Sequence, residues 1–454
     1  MDVRARIAEL LPSSQLSVSP SDLEAHSRDL SYHPARRPDV VVYPESTADV
    51  ARVLAWASAE AVPVTPFGAG TSLEGHVIPV AGGISLDLTR LDRVLAVRPA
   101  DLQANVQAGV LRSSLNIAAG AYGLWFTVDP GADATLGGMA ATNASGTTTV
   151  SHGGMRANVL ALEVVLADGT VIRPGSRTVK SSAGYDLRSL FIGSEGTLGV
   201  ITELTVRLSG IPDHAVALRL AFPSLEAACR SAAGLVGAGV GVQRLELIDG
   251  PTIAVVNAYK GTRYAEDPSL FVEVAGTEAS VAGDVESVRE LATWEGCTDV
   301  QEERETEGRS RLWEARHHVL FALLNASPGK LHRATDVCVP VSELAAAVAH
   351  ARARADELGL DAAIVAHAGD GNYHVLLMLD PEDDGEHSRV ERLTREIVDW
   401  ALERGGTCTG EHGIGLGKIR DLEREHADLL PHLRSVKEAF DAKGILNPGK
   451  LLRG

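Results

Sequence analysis

The spacing of apolar residues in the first half of the chain predicts short strands mixed with short helices. VVVYP (40–44) and VPVTP (62–66) are β-branched runs on either side of a predicted helix from Ala48 to Glu60. GGISLDL, RVLAVRP and LQANVQAG follow as closely spaced strand candidates. ALEVVLADGTVI predicts a hairpin that turns at Asp168-Gly169, and TLGVITELTVRL (197–208) predicts a further strand.

The pattern changes after Pro212. HAVALRLAF, a predicted helix from Leu225 to Val236, RLELID and FVEVAG alternate strand, helix and strand. This alternation predicts a second α/β or α+β domain built on an antiparallel sheet. Further helices are predicted at Arg309–Asn325, Ser342–Leu358 and Ser388–Arg404.

Two glycine-rich segments are candidate ligand-binding loops. VPVTPFGAGTSLEG (62–75) leads from a strand into a turn, but Leu73 breaks a GxGxxG pattern and no GK[ST] follows. Its exposed backbone N–H groups, with the Thr71 and Ser72 hydroxyls, suit a pyrophosphate, although a tight inter-strand turn is an alternative. DPGADATLGGMAATNASG (129–146) has few large side chains. It would let a flat, bulky ligand lie against the backbone, unless it is a mobile surface loop.

HAGDGNYH (367–374) predicts a hairpin that carries two histidines. Asp370-Gly371 is a preferred two-residue turn, which would pair 367 with 374. The Cβ atoms of His367 and His374 would then lie about 4.5–5.5 Å apart on one face. Two imidazoles so placed can share a divalent metal, although a stacked structural pair is the alternative.

GGTCTGEHGIGLGK (405–418) carries Glu411 and His412 among glycines. A catalytic metal site would need a third ligand, and the Glu411 carboxylate could supply it. The alternative is a glycine-rich loop with an exposed charged pair.

Three long strings carry a family resemblance: PFGAGTSLEGH (66–76), DPGADATLGGMAATNASGTTTVSHGGMRANVLALEVVLADG (129–169) and AGYDLRSLFIGSEGTLGVITE (183–203). They resemble the FAD domain of the vanillyl-alcohol oxidase and p-cresol methylhydroxylase superfamily. Within it, the chain most resembles the FAD-linked D-lactate dehydrogenases of the cytochrome-linked type, from about residue 35 to the C-terminus.

This resemblance implies an α+β fold, with a two-part p-cresol-methylhydroxylase-type FAD domain followed by an α+β substrate domain that contains an antiparallel sheet. The implied organisation is an N-terminal helical segment (1–34), the FAD domain (35–212), a substrate and metal domain (213–425) and a C-terminal segment that returns to the FAD domain (426–454).

The resemblance also implies which residues contact FAD. They are Gly68, Ala69, Gly70, Thr71, Ser72, Gly75, Pro130, Gly131, Thr135, Gly138, Thr142, Ser145, Gly146 and Ile201. Relatives that bind flavin covalently often place a histidine in the pyrophosphate loop, whereas here His76 lies beyond that loop. Non-covalent FAD is therefore expected.

The implied reaction is oxidation of a small D-2-hydroxy acid, D-lactate above others, to the 2-oxo acid. His367, His374 and Glu411 match the family's ligands for zinc or manganese, and His412 matches its general base. The metal would bind the substrate hydroxyl and a carboxylate oxygen, and hydride would pass from C2 to FAD. Arg316 is our candidate for binding the substrate carboxylate, although an exposed helix arginine is the alternative. Lys330 and Arg333 are weaker candidates for a second cation.

Several other functions stay open. Within the same chemistry they are a glycolate oxidase flavoprotein subunit and a D-2-hydroxyglutarate dehydrogenase. A flavin-free metal-dependent hydrolase would rest on the His-His-Glu set alone and would leave both glycine-rich segments unexplained. A non-catalytic flavin or metal carrier is the remaining class.

Composition and charge argue against several other classes of protein. The 454 residues carry a net charge of −18, which argues against a nucleic-acid partner. The four cysteines form no CxxC pair, so a disulfide framework, a zinc ribbon and an iron–sulfur cluster are not expected. The sequence has no apolar run of membrane-spanning length, and we predict a cytoplasmic protein that could lie at a membrane surface.

Electrons should leave to an external acceptor, because the chain has no haem-attachment CxxCH motif. A cytochrome, a quinone and an electron-transfer flavoprotein are the candidate acceptors. A homodimer is a candidate assembly.

Overall fold

The structure is a computed structural model that describes residues 3–453. The chain forms two compact units. The first contains the residues up to Ser145, Gly153–Ile211 and the residues from Glu411 onwards, and the second contains Gly146–His152 and Pro212–Gly410. The predicted α+β class is confirmed, including an antiparallel sheet in the C-terminal half.

One sheet of the first unit is mixed and contains a parallel βαβ arrangement. Its strands are β1 (Leu16–Ser17), β2 (Val40–Val42), β3 (Val64–Phe67) and β4 (Ile84–Asp87), in the order β1-β2-β4-β3. Strands β2 and β3 both run parallel to β4, and β1 pairs antiparallel with β2. The connecting helix, Thr47–Glu60, begins because the Ser46 side chain accepts a hydrogen bond from Asp49 N.

The other main sheet of the first unit is antiparallel. It consists of β5 (Val94–Arg98), β6 (Gln103–Gln107), β8 (Val159–Val165), β9 (Val171–Ile172) and β10 (Val200–Arg207), in the order β5-β6-β10-β8-β9. A separate pair joins β7 (Leu124–Trp125) to β11 (Ser209–Gly210). Strands β8 and β9 form the hairpin predicted at Asp168-Gly169.

The end of the chain packs inside the first unit. Val64 N donates to Ile445 O at 2.8 Å, and Asn447 N donates to Val64 O at 2.8 Å. Ile445 and Leu446 are buried in the same apolar core as both sheets. The last segment of the first unit begins at Glu411, whereas the predicted domain boundary lies at 425/426. Backbone N–H groups of residues 414–416 hydrogen-bond to Glu195 and Glu74, which attaches this segment to the first unit.

The second unit is built on one antiparallel sheet. Its strands are β12 (His214–Ala221), β13 (Val242–Ile248), β14 (Ser269–Gly276), β15 (Asp299–Glu303), β16 (Leu331–Ala334), β17 (Val337–Cys338), β18 (Ala362–His367) and β19 (Asn372–Leu379). Their order is β15-β12-β14-β13-β18-β19-β16, and β17 also pairs with β19.

The helices of the first unit are Val3–Ile7, Pro20–Ala25, Thr47–Glu60, Arg112–Gly120, Leu136–Thr142, Met155–Asn158, Leu187–Phe191, Ile419–Glu425 and Leu430–Phe440, with 3₁₀ turns at Ser13–Gln15, Leu88–Arg90 and Pro99–Asp101. Those of the second unit are Thr149–His152, Leu225–Gly237, Gly250–Lys260, Glu278–Trp294, Thr306–His317, Val319–Ala326, Leu344–Glu357 and Asp384–Glu403, with a 3₁₀ turn at Val341–Glu343.

The helix predicted at 309–325 is divided into two. His318 has ψ near 9°, outside the helical range, and it separates Thr306–His317 from Val319–Ala326. Apolar residues of both helices, including Leu312, Trp313 and Ala322, are buried in one core cluster with residues of the sheet. Within residues 3–453, no helix is both long enough and apolar enough to cross a membrane.

Candidate functional site

The hairpin of β18 and β19 has a different register from the predicted one. His367 lies opposite Asn372, and His374 lies opposite Val365, so the loop spans residues 368–371. The predicted two-residue turn is therefore wrong. A type I′ turn needs positive φ at both central residues, whereas only Gly371 of the Asp370-Gly371 pair has one, at +84°.

The two histidines nevertheless share a face of the sheet. The register differs from the prediction by an even number of positions, and side chains alternate with a period of two. His367 and His374 are thus diagonal neighbours, with ring centroids 5.6 Å apart and ring planes at 90°. Both side chains are buried.

Each imidazole is oriented through its Nδ1 atom. His367 Nδ1 donates to Glu246 Oε1 at 2.8 Å, and His374 Nδ1 donates to the Thr335 carbonyl at 3.1 Å. With Nδ1 engaged, Nε2 is the nitrogen of each ring that a metal would take. Asp336 Oδ1 also lies 3.8 Å from His374 Nδ1.

The buried Asp336 carboxylate organises the chain that leads up to Glu411. It accepts hydrogen bonds from Asn372 Nδ2 at 2.8 Å, the Thr409 hydroxyl at 2.7 Å and Gly410 N at 3.1 Å. The two residues that precede Glu411 in the sequence are therefore held by the same carboxylate that lies beside His374.

The three candidate cations for a substrate carboxylate all lie in the second unit. Arg316, in the helix Thr306–His317, forms an ion pair with Glu246 Oε2 at 2.7 Å. Arg333 lies in β16 opposite Leu377, and Lys330 Nζ donates to the Met378 carbonyl at 3.5 Å. Glu246 therefore connects Arg316 to His367, because its carboxylate contacts both side chains.

Glu411 and His412 begin the last segment of the first unit. His412 Nδ1 lies 3.9 Å from Glu74 Oε1, and Lys418 Nζ lies 3.5 Å from the same oxygen. Leu416 N donates to the Glu74 carbonyl at 2.7 Å. Glu74 belongs to the string that resembles the FAD pyrophosphate loop, so this unit brings that loop and the segment of His412 together.

A second buried carboxylate, Glu195, fixes the same segment. It accepts hydrogen bonds from Ile414 N at 2.7 Å and Gly415 N at 2.9 Å, and its Oε2 lies 3.3 Å from His76 Nε2. Burial alone would raise the pKa of Glu195, but His76 and the two N–H groups outweigh burial and lower it. Glu195 adopts φ +55°, a strained conformation for a residue with a side chain.

Most of the predicted FAD residues form two neighbouring stretches of the first unit. A Cβ added to Gly68 would lie 2.5 Å from Thr135 Oγ1, so the two glycine-rich strings approach closely only because residue 68 has no side chain. Thr135 also begins the helix Leu136–Thr142 by accepting from Gly138 N. The Ser72 hydroxyl, expected as a pyrophosphate donor, donates to Asp29 Oδ2 at 2.8 Å.

The other predicted FAD residues vary in their placement. Ala69, Gly131 and Gly138 are exposed, whereas Gly75 and Ile201 are buried. The half-buried ones are Gly70, Thr71, Pro130, Thr142 and Ser145. Gly146 belongs to the second unit, where its N–H donates to Thr149 Oγ1 at 2.9 Å.

The sequence did not predict the three buried carboxylates that orient these side chains. Glu246 lies between two leucines in RLELID, and Asp336 lies in TDVCVP directly before an apolar residue. Glu195 lies in GSEGTLG, between a serine and a glycine. The leucines on either side of Glu246 are a signal that could have identified it as a buried acid, because buried charges are rare unless they are paired.

Comparison with known proteins identifies the family of the chain. A family model described as the C-terminal domain of FAD linked oxidases matches residues 211–451, and one described as an FAD binding domain matches residues 38–175. The chain belongs to the FAD-linked oxidase family that includes the D-lactate dehydrogenases. The predicted superfamily, the FAD cofactor and the class of flavin-dependent oxidoreductase are thereby confirmed.

Curated relatives of this family cover almost the whole chain. A probable mitochondrial D-lactate dehydrogenase of Danio rerio is 42% identical over 96% of this chain and 89% of its own length. A mitochondrial D-lactate dehydrogenase [cytochrome] of Arabidopsis thaliana is 41% identical over 93% and 75%. The glycolate oxidase subunit GlcD of Bacillus subtilis is 33% identical over 99% and 96%.

Solved structures share the fold at low sequence identity. p-Cresol methylhydroxylase and the 4-ethylphenol oxidase of Gulosibacter chungangensis are 17% and 19% identical to this chain. Each has a TM-score of 0.79 over 99% of this chain and 96% of its own. The predicted p-cresol-methylhydroxylase-type fold is therefore confirmed.

The hairpin that carries the two histidines should not tolerate a side chain at position 371. A Cβ added to Gly371 would lie 2.0 Å from the Val339 carbonyl, in addition to the strain at positive φ. We expect Gly371→Ala to lower the free energy of unfolding by about 2–5 kcal/mol, measured by urea denaturation. Gly359→Ala is the matched control, because Gly359 has φ +62° with no atom within 4 Å of an added Cβ. Equal losses in the two variants would contradict the close contact with Val339.

Proposed function

We propose that the protein oxidises D-lactate to pyruvate with non-covalently bound FAD and a divalent metal. The observation that carries the proposal is the pair of buried histidines, each oriented through Nδ1 on one face of a sheet. The relatives named D-lactate dehydrogenase support the choice of substrate.

His367, His374 and Glu411 would hold the metal, zinc or manganese. Two imidazoles and one carboxylate are a common ligand set for a catalytic ion, and they leave coordination positions for substrate. Support for Glu411 is that it directly follows Gly410, whose N–H is held by Asp336 beside His374. When bound, the metal would act as a Lewis acid that lowers the pKa of the substrate hydroxyl.

His412 and Arg316 would act on the substrate itself. His412 would accept the hydroxyl proton, as an imidazole suits a base near neutral pH. The Glu74 carboxylate, 3.9 Å from His412 Nδ1, is placed to orient that ring. Arg316 would bind the substrate carboxylate with guanidinium N–H groups that do not face Glu246. Lys330 and Arg333 stay weaker candidates for a second cation.

The fourteen predicted FAD contacts, from Gly68 to Ile201, would hold the cofactor, and the close approach of Gly68 to Thr135 supports a common site for the two strings. When bound, the flavin would accept hydride from C2 of the substrate. The acceptor after FAD would be a cytochrome, as the name of the Arabidopsis relative suggests, with a quinone or an electron-transfer flavoprotein as alternatives.

Glycolate oxidation is a second candidate, favoured by the match to GlcD over nearly the whole chain. The cytoplasmic location and the homodimer stay predictions, and two of the named relatives are mitochondrial.

Anaerobic reduction of the flavin tests the proposed substrate. We expect D-lactate to bleach the flavin absorbance band much faster than L-lactate or glycolate at equal concentration. Faster bleaching by glycolate would favour the second candidate, and no bleaching by any 2-hydroxy acid would contradict the proposed activity.

The roles of Glu411 and His412 can be separated by two neighbouring substitutions. We expect His412→Ala to keep its metal and FAD but to reduce the flavin about 10²–10⁴-fold more slowly, because a general base is lost. Glu411→Ala should lose most of its metal. Metal content of the two purified variants, measured side by side, decides the assignment. The reverse pattern would mean that His412 is the ligand.

The flavin should be released on denaturation, because no histidine lies within residues 66–72. We expect acid precipitation to leave all of the FAD in the supernatant, measured by its absorbance. Yellow colour in the washed pellet would show a covalent bond instead.

A further inference from the structure

We propose that Glu246 is a positioning residue that couples the metal centre to the substrate-binding arginine. One carboxylate oxygen would fix His367 for metal binding, and the other would hold Arg316. This role rests on the proposed function, because it requires a metal at His367.

Strand pairing places Glu246 directly beside His367. Glu246 in β13 lies opposite His367 in β18, so their side chains project from the same face of the sheet. The distance from Glu246 Oε1 to His367 Nδ1 is 2.8 Å. Because a carboxylate only accepts hydrogen bonds, the hydrogen lies on Nδ1, and this contact selects the tautomer that leaves the Nε2 lone pair for a metal.

The other oxygen of Glu246 faces a cation from a helix. Arg316 reaches Oε2 at 2.7 Å from the helix Thr306–His317. The side chain of Glu246 is only 1% exposed and that of Arg316 only 12%, so this ion pair is shielded from water. When a carboxylate binds one edge of a guanidinium, the remaining N–H groups point in a fixed direction. This fixed direction favours binding of a substrate carboxylate.

Glu246 lies on a buried face of the sheet, where a carboxylate needs charged or hydrogen-bonding partners. Phe271 lies opposite Glu246 in β14, and both Phe271 and the neighbouring Ile248 belong to the buried core cluster of this face. An apolar side chain would fill this position at lower cost, because a buried charge must be paired to be tolerated. His367 and Arg316, the two groups of the proposed centre, contact the Glu246 carboxylate directly. Arg244, two positions earlier in β13 and on the same face, pairs with Glu273 at 3.6 Å.

Glu273 offers a matched control on the same face of the sheet. It is also a buried glutamate, but its Oε2 accepts from Trp313 Nε1 at 2.8 Å and its Oε1 lies 3.6 Å from Arg244. Glu273 therefore has a comparable environment without a contact to either candidate metal ligand among the interactions described for it. Glu273→Gln reports the effect of removing a buried carboxylate from this face in general.

The test is calorimetric titration of metal-depleted, FAD-loaded full-length protein with Zn²⁺, in competition with a chelator of known affinity. We expect Glu246→Gln to raise the Zn²⁺ dissociation constant about 10–100-fold, the usual effect of losing a partner of a metal-bound histidine. At saturating Zn²⁺, its KM for D-lactate should rise about tenfold, because Arg316 loses a charged partner. Glu273→Gln should keep the wild-type Zn²⁺ affinity.

Each other outcome overturns the proposal. Wild-type Zn²⁺ affinity in Glu246→Gln, or equal weakening in both variants, would overturn the role of Glu246 and leave the proposed function standing. Failure of the wild-type protein to bind Zn²⁺ would overturn the metal centre together with this role.

A measurement on the wild-type protein covers the case in which Glu246→Gln does not fold. ¹⁵N-histidine spectra of the metal-depleted protein, with His367 assigned through His367→Asn, report which ring nitrogen carries the hydrogen. We expect the Nδ1–H tautomer at His367. The Nε2–H tautomer would overturn the proposal.

Discussion

A buried carboxylate must be surrounded by donors, and this requirement governs the candidate functional residues of each unit. In the second unit, Glu246 binds His367 and Arg316, and Asp336 binds Asn372, Thr409 and the Gly410 N–H group. Each acid would cost several kcal/mol if it were buried alone. Their partners are therefore fixed in position, which is the property that a metal or substrate site requires.

The first unit meets the same requirement at Glu195. Its carboxylate is paired with His76 and two backbone N–H groups of the segment that follows His412. Burial would lower the pKa of His76, but Glu195 outweighs burial and raises it. Asn447, from the end of the chain, donates to the carbonyls of both residues, at 3.0 Å for His76 and 2.7 Å for Glu195. Four distant parts of the sequence, at residues 76, 195, 414–415 and 447, thus meet at one buried pair.

In the histidine hairpin, the local sequence pattern predicted the shared face of the two histidines but not the turn. The predicted turn was wrong, yet His367 and His374 still share one face. A slip by one residue would have sent one of them to the opposite face, whereas the observed shift keeps the parity. In the observed register both imidazoles find acceptors for Nδ1, Glu246 for His367 and the Thr335 carbonyl for His374.

The sequence by itself determined the order of strands and helices, the family, the two glycine-rich strings and the histidine pair, because these depend on local periodicity and on contiguous motifs. It could not determine the turn at residues 368–371, since this turn also involves a contact with a distant part of the chain, the hydrogen bond from Val339 N to the Gly371 carbonyl at 3.0 Å. Nor could it identify Glu246, Asp336 and Glu195 as the partners of the site. Their partners lie between 36 and 220 positions away in the chain. Only tertiary packing decides which donors surround a buried acid, because a hydrogen bond depends on position in space and not on separation in sequence.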